Sequence, residues 1–403
     1  MNRIKLDNID WVKIGGNILF SLLVFIIMVD PTNSVLHLKD ILFILLVGYN
    51  ILFFKPDFSL LPLILGVYIA LMLSLIFSEM QATHIDMVFF IGMLKAYAPL
   101  ILLLWVRHYD ILKLSIAPAA LMGVIITIIY IAVASSELIE FFVYKFVSAH
   151  NDMIKMSERH FLGFKIYGMY YKSMVTLLLP YAWCTYHLLY GNRRHRLGLA
   201  LICVLLTFAF FTSGTRSTML VPLALVGVLL FSNMNHYPRA RYFIYPVAAF
   251  FCVFFLLILT LLASDKGESS NFVKYGHLTS FADLFTAHPE YLLWGQGIGT
   301  NFYSIGFHRM TNQTEWTYLE LLRGHGIFII CFLILLLYPV RTFWQHRKDS
   351  MTFTLTACYF MFLLIAGTNP LLSSSTGMII IVTAYSIAYR LRAKNATMNT
   401  LPQ

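Results

Sequence analysis

With 403 residues, 59% of them hydrophobic and 12% charged, and a mean hydropathy of +0.75, the chain cannot be a soluble globular domain. Its formal charge of +10 is concentrated in short polar connections between apolar runs, a topology pattern that argues against a nucleic-acid partner. The composition predicts an all-α fold, a polytopic integral membrane protein with one membrane domain over residues 1–403.

Apolar runs of about helix-spanning length fall at 15–29, 41–54, 59–77, 88–106, 114–133, 173–190, 198–213, 217–232, 242–263, 321–338, 351–368 and 376–390, predicting about 12 transmembrane helices with both termini on one side. The first ten residues are polar and no small-residue cleavage site follows, so the first span is expected to act as an uncleaved start-transfer helix. Lys55, Arg107 with Lys113, the stretch Arg193-Arg194-His195-Arg196, Arg239 with Arg241, and Arg341 with Arg347-Lys348 all share the side of the termini, which is therefore expected to be cytoplasmic. The opposite short connections are almost free of cations; Asp30 to Asp40 carries only Lys39. Cys184, Cys203, Cys252, Cys331 and Cys358 lie inside apolar runs without metal-ligand spacing, so neither a disulfide nor a metal site is expected.

Two longer connections fall on the opposite, extracytoplasmic side. The first, 134–172, holds Lys145, His150, Lys155, Arg159, His160, Lys165 and Lys172 against Glu137, Glu140, Asp152 and Glu158. Its opening SSELIEFFVYKFV has an apolar face at helical spacing behind a Ser cap, as a helix lying on a membrane surface would. The second, 264–322, is the polar stretch on which chemistry is expected to depend. It includes Lys274, His277, Arg309, Glu315, Glu320 and Arg323. An amphipathic helix is predicted from about Thr279, ended by Pro289, followed by a turn at Gly295, Gly297 and Gly299. The GQGIG stretch lacks the preceding strand and the following GKS or GKT that a phosphate-binding glycine loop needs. TEWTYLELLRGHGIF then reads as a helix from about Thr314 that enters the next span. Lys145, Lys155, Asp265, Lys266, Glu268 and Glu290 read as solvated surface charges.

Two cations stand in or beside the apolar runs. Arg216, in the reversal SGTRS, either binds an anion over the bundle or snorkels to headgroups. Lys95 is about nine residues into its span and must face protein or a wet cavity, to meet either a structural partner or a substrate phosphate. Glu320 is either a second carboxylate of the site or the partner of Arg323 at i+3. Carboxylates among Arg, Lys and His at an outward face suit metal-independent glycosyl transfer from a lipid-linked diphosphate. Guanidinium groups stabilise charge on the leaving diphosphate, and a carboxylate accepts the proton of the attacking sugar hydroxyl.

Three stretches resemble the O-antigen polymerase and ligase superfamily (Wzy and WaaL). They are SGTRSTML, with Arg216 and Leu220 in an Arg-x-x-x-Leu pattern; HLTSFADLFTAHPEYLLWGQGIG; and the element from Glu315 to Gly326. Where ligases of that superfamily carry a His eleven residues before the Gly, this chain has Glu315, which favours a polymerase. Where many relatives carry Gly-Arg on the loop helix, it has Gly276-His277. The resemblance implies an O-antigen repeat-unit polymerase in the bacterial inner (plasma) membrane, acting on undecaprenyl-diphosphate-linked oligosaccharides at the periplasmic face without a cofactor. Catalytic roles are implied for Glu315 and Arg216, and substrate contacts for Arg159, Lys165, Lys274, His277, Arg309, Arg323 and Lys95. Membrane lipids, a flippase and a chain-length regulator would be its partners. The alternatives are a ligase that transfers glycan to lipid A-core and, as a non-enzyme, a polysaccharide flippase or transporter.

Overall fold

A computed structural model describes residues 10–81, 85–161, 164–232, 246 and 267–399. The chain forms helices α1 (Trp11–Val29), α2 (Lys39–Phe53), α3 (Leu61–Met80), α4 (Met87–Tyr97, continued as a 3-10 stretch Ala98–His108), α5 (Ile111–Leu114), α6 (Ile116–Ser135), α7 (Glu137–Ala149), α8 (Leu178–Tyr190), α9 (Arg196–Thr212) and α10 (Arg216–Ser232). After the undescribed stretch come α11 (Gly267–Ala287), α12 (Tyr291–Trp294), α13 (Thr317–His325), α14 (Ile329–Gln345), α15 (Ser350–Gly367) and α16 (Ser375–Asn399).

Among the described residues, seven stretches are long and apolar enough to cross a membrane: Trp11–Val29, Phe58–Met80, Met87–His108, Ile111–Ser135, Arg193–Thr212, Thr317–Gln345 and Ser350–Gly367. The chain is therefore a mostly helical, multi-pass membrane protein. Of the twelve expected runs, 242–263 lies outside the described residues except for residue 246, and the other eleven coincide with helices, but α2, α8, α10 and α16 do not meet both criteria. At 15 residues α2 reaches only about 22 Å, and α16 runs on through the polar RLRAKNATMN. The two Gly at 15 and 16 bring α1 against the Tyr49 and Tyr109 hydroxyls, which would stand 2.7 Å from a Cβ at either position. The buried stretch Met378–Ala388 of α16 packs on α14, on Ala98–His108 and on the 3-10 turn Lys172–Leu177, placing the last helix at the centre of the bundle.

Both long connections hold β-hairpins that the sequence reading did not anticipate. In 134–172, α7 forms as expected behind Ser136, whose Oγ accepts the Ile139 N–H at 3.5 Å, and it exposes Leu138, Phe141, Phe142 and Phe146. Strands β1 (Ile154–Phe161) and β2 (Phe164–Tyr171) then pair antiparallel, with Ile154 opposite Tyr171 and Arg159 opposite Ile166. In 264–322, helix α11 begins at Gly267 rather than Thr279, and a short hairpin joins β3 (Phe302–Ser304) to β4 (Arg309–Thr311). The hairpin turn lies flat on α11 because both contact points lack a side chain: a Cβ on Gly306 would stand 2.2 Å from the Val273 carbonyl oxygen, and one on Gly276 2.6 Å from the Gly306 nitrogen.

The glycine turn is a splice between this connection and the bundle. Gly295, Gly297 and Gly299 all have positive φ, and a Cβ at Gly297 would come 2.3 Å from Ser78 Cβ on α3. Ile298 N–H donates to Ser74 Oγ at 2.9 Å, and the Gln81 amide donates to the Gly295 carbonyl at 3.1 Å. These backbone groups are engaged by α3 itself.

Candidate functional site

The two long connections and two short ones enclose a cavity of about 580 Å3, lined among others by Thr32, Asp152, Lys155, Tyr170, Lys172, Phe307, Glu315, Asn369 and Ser373. Each wall has a local cause. The short loop after α1 is wound around the buried Asp30 carboxylate, which accepts the N–H groups of Ser34, Val35 and Leu36 at 3.0, 3.0 and 2.7 Å. Burial alone would raise the Asp30 pKa, but these donors and the nearby Lys39 hold it below the usual carboxylate value. The β-hairpin brings Lys155, Tyr170 and Lys172 to the same wall, and its base is closed by Lys172 N–H donating to the Met153 carbonyl at 2.9 Å.

Glu315 lies in the loop just before α13, which starts at Thr317 and not near Thr314. Its flanks are tied down. Thr314 N–H donates to Glu320 Oε1 at 2.8 Å, and the Trp316 indole donates to the Lys274 carbonyl at 3.1 Å. Thr317 Oγ1 donates to the Asn369 carbonyl on the opposite wall. The Glu315 carboxylate itself makes no hydrogen bond or ion pair with a described residue, and the residue lines the cavity. Burial and the neighbouring Glu315 charge push the Tyr170 phenol up to about 12. Burial pulls the Lys172 ammonium below the ordinary lysine value and Lys155 adds to that, against the opposing pull of Asp152.

A second cavity of about 510 Å3 adjoins the first and is lined by Thr32, His37, Lys39, Asp40, Gly92, Lys95, Lys172 and Ser373 to Ser375, among others. Lys95 faces this space, as expected of a cation in a spanning helix, and its Nζ lies 3.9 Å from Asp40 Oδ2.

Arg323, expected to touch substrate, is enclosed in the fold. Its side chain is 2% exposed, its Nε and Nη2 donate to Glu320 Oε2 at 3.0 and 2.8 Å, and Nη2 also donates to the Asn312 carbonyl. Nη1 donates to Gln296 and to both oxygens of Thr300, so all five N–H groups of the guanidinium are engaged. Glu320 is thus the i+3 partner of Arg323 and not a second carboxylate of the cavity. His277 is fully buried and shares a hydrogen bond with Ser304 Oγ at 2.8 Å, while its Nε2 has no partner among the described residues. Burial lowers its pKa, although Glu315 and Glu320 act in the opposite sense. Its ring meets Phe307 edge-on at 4.4 Å, one layer behind the cavity wall.

Arg309 is exposed on β4, its guanidinium 5.6 Å from the Phe307 ring centre, and does not line the cavity; the half-buried Lys274 contributes its backbone carbonyl to Trp316. The side chains of Arg159, Lys165 and Arg216 lie outside the described residues. Gly168 of β2 packs on the turn before α10, with its Cβ position 3.4 Å from Gly214 Cα. The strand carrying Tyr170 to the cavity therefore rests on the SGTR turn.

Sequence reasoning missed Lys39, Lys155, Lys172 and Tyr170. Lys155 reads as a solvated surface charge and Lys39 as a lone exception to the topology bias, yet both line a cavity. The available signal was position: Lys39 and Lys172 each stand at the edge of an apolar run on the side of the long connections. Among known protein families, characterised proteins and solved structures, none matches this chain.

Proposed function

We propose that this protein is a metal-independent glycosyltransferase of the O-antigen polymerase type, joining undecaprenyl-diphosphate-linked repeat units at the periplasmic face of the bacterial inner membrane. The observation that carries this reading is Glu315: a carboxylate that pairs with no described residue, in a cavity large enough for sugar whose lining also includes Lys155 and Lys172. The acceptor sugar hydroxyl gives its proton to Glu315 as its oxygen bonds to the anomeric carbon of the growing glycan. The bond from that carbon to the diphosphate oxygen breaks with its electron pair, so undecaprenyl diphosphate leaves with one additional negative charge. Lys172, Lys155 and Arg216 are the cations assigned to that charge. The same reading includes twelve spans with both termini cytoplasmic, and a flippase and chain-length regulator as partners.

The test is chain growth from purified lipid-linked units. Glu315→Ala and Arg216→Ala, in protein that elutes and unfolds as wild type does, should each slow growth by roughly a hundredfold or more. Normal growth with both overturns the assignment. A cell lacking the protein should still cap its lipid A-core with a single repeat unit; loss of all capping would indicate a ligase instead.

A further inference from the structure

Helix α7 carries an apolar face that neither the bundle nor the cavity uses. Leu138, Ile139, Phe141, Phe142 and Phe146 are exposed, while Val147 is buried against the fold. At 100° per residue the five exposed side chains occupy an arc of about 160° on the side of the helix away from Val147. The level of that arc follows from the span before it. The stretch Ile111–Ser135 begins at a charged cluster, where Asp110 meets Lys113 and Arg390 at 3.3 Å each. From Lys113 to Ser135 the helix rises about 33 Å, slightly more than the hydrocarbon thickness of a bilayer. Leu121, Val124, Ile128 and Ile131 form an exposed stripe along α6, as a lipid-facing surface does. Ser136, in extended conformation (φ −152°, ψ 120°), is the single residue between the end of α6 and the start of α7. The arc of α7 therefore continues an apolar surface at the level where the hydrocarbon layer ends.

Lys145 decides between occupants of the arc. It is exposed and stands within the arc, three residues after Phe142 and four after Phe141. A protein chain covering the arc would bury this ammonium among phenyl rings, at a cost in desolvation, whereas at a bilayer surface its stem lies along the rings and its head reaches headgroup phosphate. The other end of α7 leads to the cavity. The carbonyl of His150, the residue that follows the helix, accepts the Met153 and Ile154 N–H groups at 3.0 and 3.2 Å. Asn151, Asp152, Met153 and Lys155 all line the cavity, so its wall begins two residues after α7 ends. We propose that α7 lies in the boundary between headgroups and acyl chains, with Phe141, Phe142 and Phe146 in lipid, and that this anchor fixes the β1–β2 hairpin as a wall of the Glu315 cavity. The seating does not depend on what the cavity binds.

Phe142→Trp in phosphatidylcholine nanodiscs tests the seating through the fluorescence it adds to the wild-type spectrum. The added emission should be quenched by lipid brominated high on its acyl chains and should resist aqueous acrylamide. Quenching by acrylamide alone overturns the seating. Resistance to both quenchers overturns it as well, because another protein chain would then cover the arc. Hydrogen exchange in the same nanodiscs tests the anchor. Phe141→Ser, Phe142→Ser and Phe146→Ser combined should lower the protection of the β1–β2 amides roughly tenfold while those of α13 keep theirs. The same three positions changed to Leu should stay within about threefold of wild type, since the arc remains apolar. Hairpin protection at the wild-type level in the Ser variant, or an equal loss in α13, overturns the anchor.

Discussion

Replacing Arg323 by Met separates a residue that holds the site from one that holds substrate. The substitution keeps most of the aliphatic stem but removes every hydrogen bond of the guanidinium, along with its contact 4.6 Å from the Phe302 ring centre. Glu320, only 9% exposed, keeps Thr314 N–H on Oε1 but loses all compensation on Oε2. Removing one partner of such a buried pair costs about 3–5 kcal/mol, a fall of roughly a hundred- to a few-thousandfold in the folded-to-unfolded ratio. Thermal unfolding in detergent, followed through tryptophan fluorescence, should show an early transition, and Glu320→Gln added to Arg323→Met should recover at least ~1 kcal/mol of the loss. If Arg323→Met unfolds at the wild-type temperature yet extends no chains, the guanidinium serves substrate and the reasoning fails.

Three further outcomes follow from the same geometry. Gly297→Ala must place a methyl 2.3 Å from Ser78 Cβ at a φ of +104°, so it should cost about 1–3 kcal/mol or more and release the connection for limited proteolysis near residue 297; unchanged protection would refute the splice. Because burial lowers the folded-state pKa of His277, its neutral form is favoured in the fold. Its contribution is then complete above the unfolded value of about 6.5 and is lost as pH falls below it. The protection factors of α11 amides, measured rates divided into the intrinsic rates at each pH, should accordingly fall between pH 6.5 and 5.5, and His277→Asn should flatten that dependence, whereas an equal response in the variant would assign it elsewhere. Lys155→Met should raise the KM for lipid-linked units severalfold without moving the unfolding temperature; a wild-type KM would remove Lys155 from the site.

The sequence made legible what depends on local chemistry. Ser136 caps α7, the glycines at 295, 297 and 299 turn the chain where they should, Glu320 pairs with Arg323 at i+3, and Lys95 faces a wet space. It hid what depends on pairing across distance. In KMSERHF and FKIYGMYY polar and aromatic residues interleave without clean alternation, so the register that sets Ile154 opposite Tyr171 had no readable hydrophobic face. A lysine at the edge of an apolar run reads the same whether it snorkels to headgroups or lines a cavity, and Lys39 and Lys172 fall in that class.

The offset between a helix expected from about Thr314 and one that starts at Thr317 decides what Glu315 can do. On a regular first turn its carboxylate would be held by the helix geometry and drawn toward the free N–H groups there. In the observed arrangement Glu320 takes the Thr314 N–H, and the Arg323 network holds Glu320. The carbonyls of Lys274 and Asn369 accept from Trp316 and Thr317. Residues on both sides of Glu315 are thereby anchored to three different elements, while its carboxylate oxygens bond to none of the described residues. Glu320 and Arg323 therefore act on the proposed chemistry through position, and a Glu320→Ala variant should lower kcat more than it raises KM. Recovery of kcat in Glu320→Gln, whose side-chain oxygen can still accept from Thr314, would support that role, and equal loss in both variants would count against it.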